Sequence, residues 1–367
     1  MSVAKPAGGG EGRAANRLAA QERGIWAVIP VWNARQRLPE VLDALRGQVA
    51  GAVMVDNGST DGTGDWLEGR GRREIPEMAE DPEPVRVPAA SQRSPSPSPG
   101  PPPPTVLRDG QQRRAGIHPS LLLRVLRNPD NRGWPTAVNQ GVQAAWDMGA
   151  AAVLILNDDA LVQSGAVAAL AAALAEGPRT AAATARLGYR ERPGILNGAG
   201  GTVDRRRAFA ALRGEGEADQ GQYDLAPDPD YPSGAASLIG RAAWEEVGPF
   251  DEACYLYYED VDWGLRAQAA GWRIRYAPEA FVLHLGSAGT AGDPARRRYY
   301  NVRNRLRFAR RWGSGAARVR CWLETLALAA RQPLRLLVRR RRRDASAVLW
   351  GIIDHLRGRY GRSGRFG

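Results

Sequence analysis

Short apolar runs alternate with segments of helical spacing along the first half of the chain. The apolar runs predict buried strands at 25–30, 52–56, 121–127 and 152–156. The segments between or after them predict helices at 37–47, 136–148 and 165–175. Strands that alternate with helices predict an α/β fold with a mainly parallel sheet and helices on both of its faces. In such sheets, ligands bind outside the carboxyl ends of the strands.

Two segments interrupt this alternation. Ten of the 24 residues in 81–104 are proline, so we expect 70–118 to be a disordered Pro/Ser-rich insertion within one domain, 24–294. A docking site for a proline-reading partner is the alternative for this insertion. The Gly- and Ala-rich residues 1–23 predict a flexible tail, and they contain no apolar segment typical of a signal peptide.

Positive charge is concentrated at the end of the chain. The formal net charge is +12, yet 295–367 alone contains 21 Arg and three acidic residues, so the preceding part is acidic. We expect 295–367 to be a basic helical C-terminal region, with a basic helix at 296–311 and an amphipathic segment at 322–338. Such a region suits an anionic membrane surface, whereas a solvated helix packed on the main domain is the alternative.

Composition narrows the location and the classes of partner. The chain has two cysteines, which exclude a disulfide framework and fit a reducing compartment. No apolar run reaches the roughly 18 residues that a membrane span needs. We therefore expect a cytoplasmic protein, with peripheral attachment to the inner face of the plasma membrane as an option. Nucleic acid is a weak candidate partner, because no recognised nucleic-acid motif accompanies the arginines.

Acidic and amide side chains follow the predicted strands. Asp158 and Asp159 come directly after an apolar strand, where two adjacent carboxylates repel each other unless a cation binds. A divalent cation with a diphosphate would answer this, and a helix cap is the alternative. Asp56 and Asn57 begin a glycine-rich turn that could contact a nucleotide or serve only as a turn.

Further candidate ligand-binding and catalytic residues lie in a loop before a helix and in the second half of the chain. Asn131, Gly133 and Asn139 belong to a loop that enters a helix, which suits a nucleotide or sugar. Glu259 and Asp260 stand beside aromatic residues at the start of a predicted helix, so they are candidates for a general base or for acids that only balance the helix dipole. His284 ends a predicted strand and could be structural or a metal ligand.

Taken in order, these segments resemble the inverting glycosyltransferases of family 2, which have the GT-A fold. The similarity is greatest to the bacterial rhamnosyltransferase-like branch, and it covers about 25–70 and 121–311. The motifs that carry it are VIPVWN, VDNGSTDGT, NPDNRGWPTAVNQG, LILNDDALV, the segment from GAASLIG through YLYYEDVDWGLR to FVLH, and RRYYNVRNRLRF. Trp32, Trp134 and Asn157 depart from the residues common in this family.

The resemblance implies a role for each candidate. Asp260 would be the catalytic base with Glu259 beside it, and Asp159 and His284 would bind Mg²⁺ or Mn²⁺. The acceptor would approach Gly234, Ala235 and Trp263. The nucleotide-sugar would contact Pro30, Asn33, Asp56, Asn57, Asn131, Gly133, Asn139, Asn157 and Asp158.

The implied function is metal-dependent transfer of a sugar from a nucleotide diphosphate-sugar to a glycan or lipid-linked acceptor in polysaccharide or cell-wall synthesis. dTDP-rhamnose or a UDP-sugar would be the donor. A nucleic-acid- or membrane-binding protein on an inactive GT-A scaffold is the alternative. A sugar nucleotidyltransferase is disfavoured, because such enzymes carry a Gly-rich basic signature near the N-terminus that the chain lacks.

Overall fold

The computed structural model describes residues 24–74, 121–226, 228–286, 293–331 and 342–367. The predicted tail, nearly all of the predicted insertion and part of the amphipathic segment lie outside the described residues. The strands are β1 Ile25–Val31, β2 Gly51–Asn57, β3 Leu122–Asn128, β4 Ala152–Leu156, β5 Ala160–Val162, β6 Thr180–Tyr189, β7 Leu196–Ala199, β8 Gly201–Asp204, β9 Phe209–Leu212, β10 Ala236–Gly240 and β11 Arg273–His284. The helices are α1 Leu38–Leu45, α2 Thr63–Glu74, α3 Trp134–Asp147, α4 Ala166–Leu174, α5 Arg241–Val247, α6 Glu259–Ala269, α7 Pro294–Trp312, α8 Gly315–Ala330 and α9 Arg342–Leu356.

One large mixed sheet organises the molecule. Its strand order is β3-β2-β1-β4-β10-β6-β11-β5, with β7 paired to β6, while β8 and β9 form a separate hairpin. β1 pairs in parallel with both β2 and β4, and β10 enters antiparallel between β4 and β6. Every residue of β1, β2 and β4 is buried, which explains why these strands are apolar without alternation. The predicted strands and their mainly parallel arrangement are present.

Helices cover both faces of this sheet. One apolar core lies between the sheet and α1 and α4, where Leu38, Leu42 and Leu170 are fully buried. The other lies under α3, α5 and α6 and contains Val138 and Trp244. Burial of these faces supplies most of the stabilising free energy, at about 25 cal/mol per Å² of apolar surface.

The connection between β2 and β3 has a defined direction. Because these strands are parallel, α2 must return the chain from the carboxyl edge of the sheet to its amino edge. Glu74 ends α2 and Leu121 precedes β3, so both lie toward the amino edge. The predicted insertion therefore joins the described part away from the strand ends that carry the candidate site.

The C-terminal helices pack on the rest of the protein. An apolar cluster joins α6 and the β8–β9 hairpin to α7, α8 and α9, with Leu265, Leu306 and Val348 among its buried members. α7 begins after Asp293, whose side chain accepts a hydrogen bond from the backbone N–H of Arg296. The basic helix predicted at 296–311 is thus a packed element. Within the described ranges, no helix combines the length and the hydropathy that a membrane span requires.

Candidate active site

A cleft with a cavity volume of about 150 Å³ opens at the carboxyl edge of the sheet. The ends of β1, β2 and β4 contribute to its walls, together with the loop before α3, the loop before α6 and the first turn of α7. It is lined by Pro30, Val31, Trp32, Asn57, Asn131, Trp134, Asn157, Asp158, Asp159, Tyr255, Leu256, Tyr257 and Arg296. Five of the nine residues predicted to contact the nucleotide-sugar, and one of the two predicted metal ligands, therefore share one cavity: Pro30, Asn57, Asn131, Asn157 and Asp158, with Asp159.

Asp158, the first of the two acidic residues after β4, is held by a positive charge and by a hydrogen-bond donor of the backbone. Oδ2 of Asp158 accepts hydrogen bonds from Nη2 of Arg37 at 3.2 Å and from the backbone N–H of Trp32 at 3.3 Å. Burial raises the pKa of Asp158 to about 6; the positive charge of Arg37 opposes this rise, and the adjacent carboxylate of Asp159 adds to it. The pair is therefore short of positive charge in the absence of a ligand.

Asp159 and His284 converge from two neighbouring strands. β5 begins directly after Asp159 and pairs with the end of β11, where Ala160 lies opposite His284. This ladder places Nε2 of His284 3.0 Å from Oδ1 of Asp159, and both side chains are buried. Nδ1 of His284 lies 2.8 Å from Oδ1 of Asn197, an arrangement in which the amide oxygen accepts the Nδ1 proton.

These residues fit a divalent cation. With the Nδ1 proton given to Asn197, Nε2 of His284 turns its lone pair toward Oδ1 of Asp159, 3.0 Å away, and its other neighbour is Nδ2 of Asn157 at 3.4 Å. A cation bound between Nε2 and the carboxylate would stabilise this pair of acceptors. Across the described part of the chain, no group of three His, Cys, Asp or Glu side chains forms a complete metal site. A cation here would take its remaining ligands from a diphosphate and water, which is usual for Mg²⁺ and Mn²⁺.

An amide network supports the part of the cleft that Asn57 and Asn131 line. Nδ2 of Asn57 donates to Oδ1 of Asn131 and to the carbonyl of Gly133, both at 3.1 Å. Oδ1 of Asn57 accepts from the backbone N–H of Arg132 at 3.0 Å and from Asn128 at 3.1 Å. These contacts fix the loop between β3 and α3 against the end of β2.

Three predicted nucleotide contacts lie behind the cleft instead of lining it. Asp56 is 1% exposed and caps its own turn by accepting from the backbone N–H of Ser59, while Oδ1 of Asn33 accepts from that of Thr60 at 2.8 Å. Asn139 bonds to the backbone N–H and carbonyl of Phe250, both at 3.0 Å. These side chains shape the cleft through the loops they hold.

Gly133 also acts through its backbone. Its φ is +93°, and a Cβ there would lie 2.6 Å from Cδ2 of Tyr255. The absence of a side chain lets the next residue, Trp134, donate its backbone N–H to the carbonyl of Tyr255 at 2.9 Å. Gly133 thus allows the loop before α3 to pack directly against the loop before α6.

The candidate base stands at the start of α6. Asp260 is half-buried, and its Oδ2 accepts from the backbone N–H of Gly234 at 3.2 Å. Burial raises the pKa of Asp260, and it raises the pKa of the neighbouring Glu259 further. Oε2 of Glu259 is buried without a hydrogen-bond partner, which fits a protonated carboxyl. Asp260 is therefore the ionisable member of the pair that retains access to solvent.

The loop that precedes Glu259 is strained and is held from α7. Tyr255, Tyr257 and Tyr258 all have positive φ values, +61°, +69° and +74°, which are rare for aromatic residues. Nδ2 of Asn304 donates toward the carbonyls of Cys254, Leu256 and Tyr257 at 2.8–2.9 Å. Sequence reasoning missed this role, although Asn304 lies in the RRYYNVRNRLRF motif.

The predicted acceptor residues divide into two groups. Gly234 and Ala235 lie beside the site: a Cβ at Gly234 would lie 3.1 Å from the Trp134 ring and 3.6 Å from Oδ2 of Asp260. The carbonyl of Ala235 accepts from the backbone N–H of Asn157 at 3.0 Å. Trp263, in contrast, is fully buried between Trp244 and Phe250. Its assignment to the acceptor site is wrong in this structure, because its ring belongs to the core.

Two arginines, one that lines the cleft and one that pairs with a residue of its lining, carry no local signal in the sequence. Arg37 pairs with Asp158 from the turn before α1, at a spacing of 121 residues. Arg296 reaches the cleft from α7, where the sequence shows only one arginine among many. Trp134, which departs from the family pattern, donates Nε1–H to Oδ1 of Asn157 at 3.0 Å.

Residues 107–315 match the family described as glycosyltransferase like family 2. The chain belongs to this family. It is also 30% identical over 196 residues to the N-acetylglucosaminyl-diphospho-decaprenol L-rhamnosyltransferase of Mycobacterium tuberculosis, a match that covers 47% of this chain. The chain spans 62% of the length of that relative.

Two solved structures have the same fold. A mannosyltransferase from Pyrobaculum calidifontis, in complex with GDP-Man and Mn²⁺, superposes with a TM-score of 0.50 at 15% identity and covers 94% of this chain and 95% of its own. GalNAc-T7 with UDP, GalNAc and Mn²⁺ gives a TM-score of 0.52 at 12% identity over 92% of this chain and 57% of its own. The predicted GT-A fold is confirmed.

Proposed function

We propose that the protein is an inverting, divalent-metal-dependent glycosyltransferase that uses a nucleotide diphosphate-sugar. The observation that carries this proposal is the convergence of His284 with Asp159, which lines the cleft next to Asp158. Asp260 lies nearby, bonded to Gly234, whose position is close to the ring of the cleft residue Trp134. The membership of family 2 supports the proposal.

Each part of the cleft has a role in this reaction. Asp159 and His284 would hold Mg²⁺ or Mn²⁺, with Asp158 beside them, and a bound cation would neutralise charge on the departing diphosphate. The amides of Asn57 and Asn131 would face the nucleoside. Asp260 removes the proton from the acceptor hydroxyl, whose oxygen bonds to the anomeric carbon as the bond from that carbon to the diphosphate oxygen breaks. The electron pair leaves with the nucleoside diphosphate, and the configuration inverts.

The donor and acceptor are proposed from the mycobacterial relative. Its name specifies transfer of L-rhamnose to a diphospho-decaprenol-linked N-acetylglucosamine. We therefore propose dTDP-rhamnose as the first donor to test, with UDP-sugars next, and a glycan or lipid-linked acceptor in polysaccharide or cell-wall synthesis.

Thermal unfolding with a panel of nucleotide-sugars tests the donor site. We expect one dTDP- or UDP-sugar to raise the unfolding temperature in the presence of Mn²⁺ or Mg²⁺, and Asp159→Ala to abolish that rise. Asp147→Ala, which removes an exposed carboxylate at the end of α3, is the matched control. A folded protein that no donor stabilises with either metal would contradict the proposal.

A lipid-linked acceptor would bring the protein to a membrane surface, and α8 offers the contact. Val319, Leu323 and Leu326 lie on one side of this helix and are 60%, 63% and 50% exposed. Arg318 and Arg320 are exposed beside them, and Arg320 also pairs with Glu324 at 3.2 Å. We propose that this face rests on the anionic inner leaflet, because arginine and leucine together suit that surface.

Flotation with liposomes tests the membrane contact. We expect binding to anionic vesicles and not to neutral ones, and weaker binding by Leu323→Glu. Leu225→Glu, at a fully exposed leucine far along the chain from α8, is the control. Binding to DNA or RNA without binding to vesicles would favour the alternative, a nucleic-acid partner for the basic region.

A further inference from the structure

Arg296 occupies an unusual position for a charged side chain. It is 7% exposed, it lines the cleft, and its backbone is fixed at the start of α7 by the Asp293 cap. Its guanidinium carbon lies 4.9 Å from the ring centroid of Trp32 and 5.8 Å from that of Tyr255. The two aromatic rings therefore limit how the guanidinium can turn.

The guanidinium of Arg296 makes few hydrogen bonds with its neighbours. Nη2 donates to the hydroxyl of Tyr255 at 3.4 Å, and the same hydroxyl donates to Oδ1 of Asn131 at 3.1 Å. Nε is buried without a hydrogen-bond partner. Among the residues the structure describes, no carboxylate forms a salt bridge with Arg296, unlike Arg37, which pairs with Asp158. A buried cation without an anion is costly, so the site is complete only when an anion occupies the cleft.

We infer that Arg296 binds the diphosphate of the nucleotide-sugar and stabilises the nucleoside diphosphate as it leaves. This inference rests on the proposed function. A guanidinium presents paired donors that match phosphate oxygens, and it keeps its charge when buried. Charge grows on the diphosphate as the bond to the sugar breaks, so the contact strengthens in the transition state. The basic C-terminal region thereby supplies a substrate-binding residue.

Binding of nucleotides with different numbers of phosphates tests the inference. The probes are dTDP and UDP against dTMP and UMP, titrated with Mn²⁺ into wild type, Arg296→Gln and Arg296→Lys. We expect Arg296→Gln to weaken diphosphate binding by about tenfold to a hundredfold, and to weaken monophosphate binding much less. Arg296→Lys should fall between, because it keeps the charge and loses the fork of donors. Arg297→Gln, the exposed neighbour on α7, should bind as wild type does.

The outcomes separate the inference from the proposal beneath it. If wild type binds neither diphosphate, both fail. If wild type binds a diphosphate and Arg296→Gln binds it equally well, only the inference fails. Equal weakening of diphosphate binding and monophosphate binding would also overturn the inference. That result would mean that Arg296 only supports the rings of Trp32 and Tyr255. Thermal unfolding of each variant confirms that the compared proteins are folded. If Arg296→Gln does not fold, Arg296→Lys gives the test, through its loss of diphosphate affinity relative to its loss of monophosphate affinity.

Discussion

Replacing Asn304 by alanine should separate the activity of this protein from its fold. Asn304 is 1% exposed, and its amide nitrogen lies 2.9, 2.8 and 2.9 Å from the carbonyls of Cys254, Leu256 and Tyr257. Two N–H groups therefore serve three buried acceptors. Arg303 still donates to the carbonyl of Cys254 at 2.9 Å in the variant, so two carbonyls lose their donor from α7.

The size of the effect follows from these contacts. An unsatisfied buried polar group costs roughly 1–3 kcal/mol, so two give about 2–4 kcal/mol after partial relaxation. Each tyrosine with positive φ stores about 1–3 kcal/mol of backbone strain. Once Asn304 no longer holds the loop, it can move to an unstrained conformation and release this energy. Relaxation limits the loss of stability, but it moves Tyr255 and Tyr257 out of the cleft wall and Asp260 away from Gly234.

We expect Asn304→Ala to unfold roughly 4–12 °C below wild type and to lose at least about a hundredfold in transfer rate at temperatures where it is fully folded. Asn304→Asp should be less stable still, because it turns an oxygen toward the same carbonyls. Differential scanning calorimetry and initial rates of sugar transfer measure the two effects. Asn301→Ala is the control, since its amide donates to the carbonyl of Arg297 on the same helix and, within the described ranges, holds no other segment. Wild-type rates in Asn304→Ala, or an equal loss in Asn301→Ala, would refute the role assigned to this amide.

Further predictions concern the base and the metal ligands. Asp260→Asn should keep nucleotide-sugar binding and lose about 10²- to 10⁴-fold in kcat, and full activity in this variant would exclude Asp260 as the base. Because burial raises the pKa of Asp260 and a base must be ionised, kcat/KM should decline on acidification at a pH above the ordinary aspartate pKa of about 3.9; a rate that is constant down to pH 4 in folded protein would contradict this. Removal of metal with EDTA should abolish transfer, and Mn²⁺ should restore it in wild type but not in His284→Ala. Restoration in that variant to the wild-type rate at the same Mn²⁺ concentration would show that His284 is not a ligand.

The sheet and the acidic edge of the cleft could be predicted from the sequence because their signals are local. An apolar run without alternation is typical of a strand buried on both faces, and β1, β2 and β4 are such strands. Parallel strands bring their carboxyl ends to one edge, so Asp56, Asn57 and Asp159 had to lie near one another. The order of the motifs then indicated the family.

The facing direction of individual side chains could not be predicted in the same way. Asp56 and Asn139 do not face the cleft, because each is hydrogen-bonded to backbone groups of a nearby loop. Asp56 accepts from the N–H of Ser59, and Asn139 bonds to the N–H and carbonyl of Phe250. Trp263 follows the acidic pair closely in sequence, yet one turn of α6 carries it into the core. Arg296 reaches the cleft only because α7 packs across the loop before α6. Such positions depend on contacts between segments far apart in the chain.

The crossover from β2 to β3 has a practical consequence. α2 delivers the chain to the amino edge of the sheet, and a strand of seven residues, about 23 Å long, separates that edge from the cleft. Glu74 and Leu121, where this sequence joins the described part, therefore lie at the opposite edge of the sheet from the residues that line the cleft. We expect an affinity tag or a fluorescent protein placed between these two residues to leave nucleotide-sugar affinity unaltered. The same separation means that sequence added directly at either junction starts about one strand length from the cleft.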